Sequence, residues 1–281
     1  MKNFTTKAEL QQYLAQLKAK GAIIGFVPTM GALHRGHLSL ITKAQQQCDV
    51  VVCSIFVNPT QFTDPRDLEI YPRPLQDDIK KLELVNCDIL FNPGVDEMYV
   101  GNEQWHLDIG ELEGLLEGKF RPGHYQGVTQ IVYKLFNIVK PDVAFFGQKD
   151  YQQFMVISRM IKLLNMSVKL VMCPIERESD GLAMSSRNMH LTPDDRQHAL
   201  ILSQTLNDLK LNFDSDKINL LKQEAMSTIN NVPGVELAYF EIADGDTLLP
   251  ANEHTKHIIA LVAATVGKIR LIDNVIIKNK D

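Results

Sequence analysis

The sequence predicts an α/β fold, a largely parallel sheet flanked by helices, followed by a smaller C-terminal α+β domain. Three observations lead there. Short runs that are apolar on both faces alternate with helical stretches up to Pro174. Strands buried on both faces belong to parallel sheets, and the alternation makes right-handed βαβ units. After Pro174 the order changes to two helices and then three strand-like runs. Finally, the unusual polar residues fall just beyond the strand runs, where open α/β sheets hold ligands.

Each element has its own signal. Thr6 and Glu9 form a capping box, and Leu10, Tyr13, Leu14 and Leu17 keep helical spacing to about Lys20. The first strand is expected over 22–27 and a helix over 38–47. The β-branched run 49–57 reads as a central strand that ends at the turn Asn58-Pro59-Thr60-Gln61. A helix over 77–85 and a strand over 88–91, closed by Asn92-Pro93, follow. Next come a helix over 124–139, a strand over 142–146 closed by Gly147, a helix over 150–164 and a strand over 167–173. Residues 175–190 are polar. Helices are expected over 193–211 and 217–229, and strands over 236–243, 257–265 and 268–272. The domain boundary is placed near 174–178, giving domains of 1–175 and 176–281.

Bulk properties exclude several classes. The 281 residues are 45% hydrophobic and 22% charged, with no apolar run near the roughly 20 residues of a membrane helix. The first residues, Met1-Lys2-Asn3-Phe4-Thr5-Thr6-Lys7, lack the apolar centre of a signal peptide, so a cytoplasmic protein is expected. A net charge of −5 argues against wholesale nucleic-acid binding. Cys48, Cys53, Cys87 and Cys173 form no Cys-x-x-Cys pair and read as reduced thiols.

The most informative segment is Pro28-Thr29-Met30-Gly31-Ala32-Leu33-His34-Arg35-Gly36-His37. It hands a buried strand over to a helix, whose first amides and dipole attract anions. Gly31 and Gly36 allow close backbone approach, and two imidazoles add donors suited to phosphate oxygens. The same pair could merely cap the helix, or form half of a zinc site for which no further ligands lie nearby. Neither a Gly-x-x-x-x-Gly-Lys loop nor a Gly-x-Gly-x-x-Gly turn follows the strand.

Other strand ends add candidates. Asn58 and Gln61 follow the second sheet strand; their uncharged amides, with that of Gln153, suit hydroxyl and carboxylate oxygens. Gly147, Gln148, Lys149 and Asp150 follow the strand ending at Phe146. Lys149 is either a solvated cation or a point charge on a polyphosphate. Met184, Ser185, Ser186, Arg187 and Asn188 lie beyond the last sheet strand and offer two hydroxyls and a guanidinium fork. Asp77 and Asp78 begin a helix, where the dipole alone favours them; the alternative is a ligand for Mg²⁺.

Six stretches in order, 28–37, Phe56–Phe62, Tyr71-Pro72-Arg73, Arg121-Pro122-Gly123-His124, Phe145–Gln153 and Asp180–Asn188, resemble the pantothenate synthetases (pantoate–β-alanine ligases). Their combination is specific, whereas the His-x-Gly-His tetrad alone marks a broad nucleotidyltransferase superfamily. Gln148 departs from the family pattern, where an acid is expected. The resemblance implies a Rossmann-like nucleotide- and pantoate-binding domain over 1–175 and a lid over 176–281. It implies ATP-dependent joining of pantoate to β-alanine through pantoyl adenylate, with Mg²⁺, in a cytoplasmic homodimer. It also assigns roles. His34, His37, Lys149 and Arg187 are the catalytic candidates. Met30, Gly31, Ala32, Leu33, Arg35, Gly36, Gly147, Gln148, Asp150, Glu176, Met184, Ser185 and Ser186 join them around ATP. Gln61, Gln153, Asn58 and Tyr71 take the pantoate and β-alanine side. Asp77 is the metal candidate and Asp78 the second choice.

Two other classes compete. A nucleotidyltransferase that hands its nucleotide to a phosphorylated acceptor would share the tetrad, but would want cations where Gln61 and Gln153 stand. A non-catalytic nucleotide-binding module would need fewer polar residues at the strand ends.

Overall fold

A computed structural model of the chain describes residues 1–101 and 103–279. Six strands form one sheet: β1 (Lys2–Phe4), β2 (Ile24–Thr29), β3 (Val50–Ile55), β4 (Ile89–Phe91), β5 (Val143–Gly147) and β6 (Lys169–Cys173). Their spatial order is β1-β4-β3-β2-β5-β6, and every neighbouring pair is parallel. From β2 the chain works outward through β3 and β4, then returns to pair β5 with the other side of β2. That reversal is the topological switch point of a doubly wound sheet, where such folds bind ligands.

Strand alternation divides the core in two. Phe26, Val52, Phe91 and Ala144 point to one face and pack on helices Lys7–Lys18 and His124–Val139. Val27, Val51, Cys53, Leu90 and Phe145 point to the other, with Leu40, Ile41 and Leu82 from helices Arg35–Gln45 and Leu75–Leu84. A sheet covered on both faces explains why the run over β3 shows no polar alternation.

The chain forms two compact units. One comprises Met1–Gly114, Gly118–Gly147 and Gln153–Pro174; the other comprises Leu115–Glu117, Gln148–Gln152 and Ile175–Asp281. The second unit is built on an antiparallel sheet, β7 (Val235–Asp244), β8 (Ile258–Val266) and β9 (Ile269–Lys278), in that order. Leu202, Leu206 and Ile229 of helices Pro193–Leu211 and Ile218–Asn230 pack on Phe240, Ile242 and Val262.

Four differences from the sequence expectations have physical causes. Strand β1 has only three residues, too few to show a period. Strand β9 continues to Lys278, six residues past the expected end at 272, through the polar pair Asp273-Asn274, which is buried by hydrogen bonding. Helix Arg35–Gln45 starts three residues earlier than expected, so that His34 is its N-cap residue. The short helices Pro65–Ile70, Val95–Met98 and Leu116–Phe120 also lack a readable period.

Candidate active site

In the first unit the tetrad sits at the carboxyl end of the central strand β2. Gly31 and Ala32 both take left-handed backbone, with φ of +81° and +49°. Glycine adopts this freely, while alanine is strained there, so Ala32 needs outside support. Asp78 supplies it. Its carboxylate, 1% exposed, accepts from the Ala32 amide at 2.8 Å and the Leu33 amide at 2.7 Å. Lys81 donates to the Leu33 carbonyl at 2.7 Å and stands 3.8 Å from Asp78. Burial pushes the Asp78 carboxyl above its ordinary value, opposed by the two amides.

The clamped turn delivers both histidines to the start of helix Arg35–Gln45. Their rings lie 4.0 Å apart between centroids, tilted by 36°. The His34 amide donates to His37 Nδ1 at 3.3 Å. A neutral His37 ring therefore carries its proton on Nε2, which is a donor. Met30 is half-buried, Gly36 likewise, and Arg35 is exposed.

Beyond β3, the turn Pro59–Gln61 carries the amide candidates. Gln61 is buried; its Nε2 meets Met30 Sδ at 3.2 Å and its Oε1 accepts from Asn58 at 3.2 Å. Asn58 is 1% exposed, and both ends of its amide are engaged. Its Oδ1 accepts from Tyr99 Oη at 2.6 Å and Thr60 Oγ1 at 3.2 Å, and its Nδ2 also reaches the Gly127 carbonyl at 3.1 Å. Asn58 thus shapes the turn that presents Gln61. Tyr71 is buried edge-on against Phe62, with ring centroids 5.5 Å apart. Gln153 lies half-buried in the first turn of helix Tyr151–Leu163.

Asp77 and Asp78 part company. Asp77 is exposed, 3.3 Å from Lys80, whereas both oxygens of Asp78 are committed to backbone amides. Among the described residues no group of three or more His, Cys, Asp or Glu is arranged to hold a metal. One accessible carboxylate still suits Mg²⁺, which takes one or two carboxylates and fills its remaining positions with phosphate oxygens and water.

Gly147 ends β5 in the first unit, and the second unit carries the remaining candidates. Gln148, Lys149 and Asp150 form a single 3₁₀ turn directly after Gly147, the last residue of β5; Lys149 is half-buried and Asp150 exposed. Residues 176–184 form a narrow hairpin, with the Met184 amide donating to the Glu176 carbonyl at 2.9 Å and Arg177 bridged to Ala183. Gly181, at φ +94°, makes its turn. The hairpin leads into Ser185, whose Oγ accepts from the Arg187 amide at 3.2 Å and so starts the 3₁₀ helix Ser186–His190. Asn188 is pinned to the Ala183 carbonyl at 3.0 Å. Ser186 and Arg187 are half-buried, Met184 is buried and Glu176 is exposed.

Several residues take parts in the structure that the sequence does not signal. In the sequence Asp78 reads only as a helix-start acid or a metal ligand. His124 is buried and its Nδ1 lies 2.8 Å from the Gln61 carbonyl, although its segment carries the resemblance without a role of its own. Asp273 and Asn274, buried polar residues inside a strand, have a signal only in their neighbours: five aliphatic residues flank an acid and an amide in 271–277.

A sheet of this order, with a His-x-Gly-His turn leaving its central strand, defines a Rossmann-like α/β protein of the His-x-Gly-His class. The sequence profile of the pantoate-beta-alanine ligases matches residues 2–276. Pantothenate synthetase from Thermotoga petrophila is 48% identical over 280 residues, covering 99% of this chain and 100% of that one. The Porphyromonas gingivalis enzyme of the same name is 43% identical over 98% of this chain and 99% of its own. The crystal structure of pantothenate synthetase from Thermus thermophilus superposes with a TM-score of 0.93 at 39% identity, covering 99% of this chain and 100% of the other. A pantoate-beta-alanine ligase from Francisella tularensis, solved with beta-gamma ATP and beta-alanine, gives a TM-score of 0.81 at 38% identity, covering 98% and 97%. The chain belongs to the pantoate–β-alanine ligase family, and it is an enzyme.

Proposed function

We propose that the chain joins (R)-pantoate to β-alanine with ATP, by way of pantoyl adenylate, and so makes pantothenate for coenzyme A synthesis. The observation that carries this is a family match over nearly the whole chain, with the tetrad histidines side by side at a helix N-terminus beyond the central strand. The Francisella relative, crystallised with a nucleotide and β-alanine, supports both substrates.

In the first step a pantoate carboxylate oxygen attacks the α-phosphorus of ATP and the bond to pyrophosphate breaks. In the second, the amine of β-alanine attacks the acyl carbon, the mixed anhydride opens, AMP leaves and the amine gives up a proton. Both steps need positioning and charge neutralisation, and neither needs a protein nucleophile. The buried, high-pKa thiols agree with that division of labour.

Roles follow from side-chain chemistry. His34 and His37 donate to phosphate oxygens, with the His37 Nε2 proton meeting charge that grows on the leaving pyrophosphate. Lys149, Ser185, Ser186 and Arg187 hold the triphosphate. Backbone of Gly31, Ala32, Leu33, Gly36 and Gly147, with Met30, Arg35, Gln148, Asp150, Glu176 and Met184, forms the nucleotide's surroundings. Gln61 and Gln153 grip pantoate, and Tyr71 walls it. Asp77 is the accessible carboxylate that would hold Mg²⁺, an ion that neutralises triphosphate charge when bound. We infer further that the protein works in the cytoplasm as a homodimer, whose assembly sedimentation of the purified enzyme tests.

The function is tested by supplying ATP, Mg²⁺ and pantoate with and without β-alanine, and scoring pyrophosphate and AMP separately. Pyrophosphate is expected with pantoate, and release of free AMP is expected to need β-alanine. AMP release indifferent to β-alanine would remove the ligase reading.

A further inference from the structure

We propose that Asn274 is a positioning residue for Lys149, and that with Asp273 and Arg177 it ties two phosphate-holding segments into one rigid piece. This rests on the reading that Lys149 and Ser185–Arg187 hold the triphosphate.

The 3₁₀ turn Gln148–Asp150 is too short to hold its own shape, since a single turn closes few internal hydrogen bonds. Its shape comes from β9. Asn274, 2% exposed, donates through Nδ2 to the Gln148 carbonyl at 2.9 Å and to the Lys149 carbonyl at 3.0 Å. Its Oδ1 accepts from Gln148 Nε2 at 3.1 Å. One side-chain amide therefore fixes the backbone on both sides of the Lys149 Cα, and the Gln148 side chain holds that amide in the orientation that donates. Gln148 is the position where this chain departs from the expected acid, and an acid could not donate to Oδ1 at neutral pH.

The network extends one residue back. Asp273, 4% exposed, accepts from the Asn274 amide at 2.8 Å and takes a two-pronged contact from Arg177 at 2.7 and 3.0 Å. Arg177 also donates to the Gly181 carbonyl at 3.0 Å, closing the hairpin that leads to Ser185. A buried carboxylate with a bidentate guanidinium is a rigid junction. Two further anchors hold the turn's helix: Tyr151 Oη donates to the Gly245 carbonyl at 2.7 Å, and Gln152 bridges the Glu117 amide and the Leu115 carbonyl at 3.0 and 2.8 Å. All these partners belong to the second unit. Lys149 thus follows a strand of the first unit in sequence, yet its backbone is fixed by side chains from a strand more than a hundred residues later.

The test is a double-mutant cycle on steady-state pyrophosphate release with ATP, Mg²⁺, pantoate and β-alanine. Lys149→Ala should lower kcat/KM for ATP by about 10²-fold. Asn274→Ala should lower it by roughly 10-fold while leaving KM for β-alanine within twofold. In the Lys149→Ala background, Asn274→Ala should cost less than twofold more, because the residue it positions is gone. Asn274→Asp, the same size but without the Nδ2 donor, should reproduce the loss, and thermal melting of each variant identifies any that fail to fold. If the two effects multiply, or if both folded Asn274 variants keep wild-type kcat/KM for ATP while Lys149→Ala is impaired, the positioning role is wrong. If Lys149→Ala itself is within twofold of wild type, the role of Lys149 in holding ATP falls, and the inference falls with it.

Discussion

His37 couples two jobs in one ring. Its Nδ1 receives the His34 amide and closes the helix start, which makes Nε2 the donor. Replacing it by alanine should slow adenylate formation by about 10²-fold or more, as loss of a contact that strengthens in the transition state does; pyrophosphate release within twofold of wild type would defeat the role. Gln61 is fixed through Asn58 and Met30, so Gln61→Ala should raise KM for pantoate more than for ATP. A rise confined to ATP would refute that assignment. Asp78 makes a different kind of prediction. Because burial raises its carboxyl pKa, the folded state holds the proton more tightly than the unfolded one. Its contribution to stability is greatest below the ordinary aspartate pKa and declines as pH rises through the raised value. The stability advantage of wild type over Asp78→Asn, followed by urea unfolding, should therefore shrink as pH is raised from about 4 toward neutrality. A gap constant over that range would show that the clamp does not titrate.

Elements here are shaped by how closely they approach one another. Helix His124–Val139 presses on the turn Pro59–Gln61 through Gly127, where a Cβ would overlap the Thr60 carbonyl and the Gln61 Cα. The turn cannot retreat easily, since Asn58 and His124 tie it to the same helix. Gly127→Ala should cost about 1–3 kcal/mol in urea unfolding, as overpacking does, and should raise KM for pantoate by displacing Gln61. Unchanged stability together with an unchanged pantoate KM would mean the turn yields freely. Sequence periodicity locates this helix and most of the strands, because their apolar faces are long enough to show a period. It misses β1 and the short helices, and it stops β9 early because a polar pair looks like a strand end until its buried partners are known.

At the scale of the whole molecule, the cysteines report burial. Cys53, Cys87 and Cys173 are buried in the fold, and burial raises all three thiols, Cys87 and Cys173 to about 11. Cys48, only partly buried, is the accessible one. A thiol-reactive disulfide reagent at neutral pH should modify Cys48 first in the native protein and all four residues only after denaturation; rapid labelling of four sites in the folded enzyme would contradict this packing. Among the described residues no helix is long and apolar enough to cross a membrane.

By itself the sequence determined the parallel sheet, the late change to an α+β unit, and the ligase resemblance, because β-branched runs, helical periods and short polar motifs are local properties of the chain. It also named His34, His37, Lys149 and Gln61, whose chemistry is written in residue type and in their place after a strand. Only the tertiary structure decided which residues support them. Asp78 reaches back to Ala32, Asn274 reaches back to Lys149, and Gly127 makes room for Thr60. These are contacts between distant parts of the chain, set by packing and by the need to satisfy buried polar groups, and no local pattern encodes them.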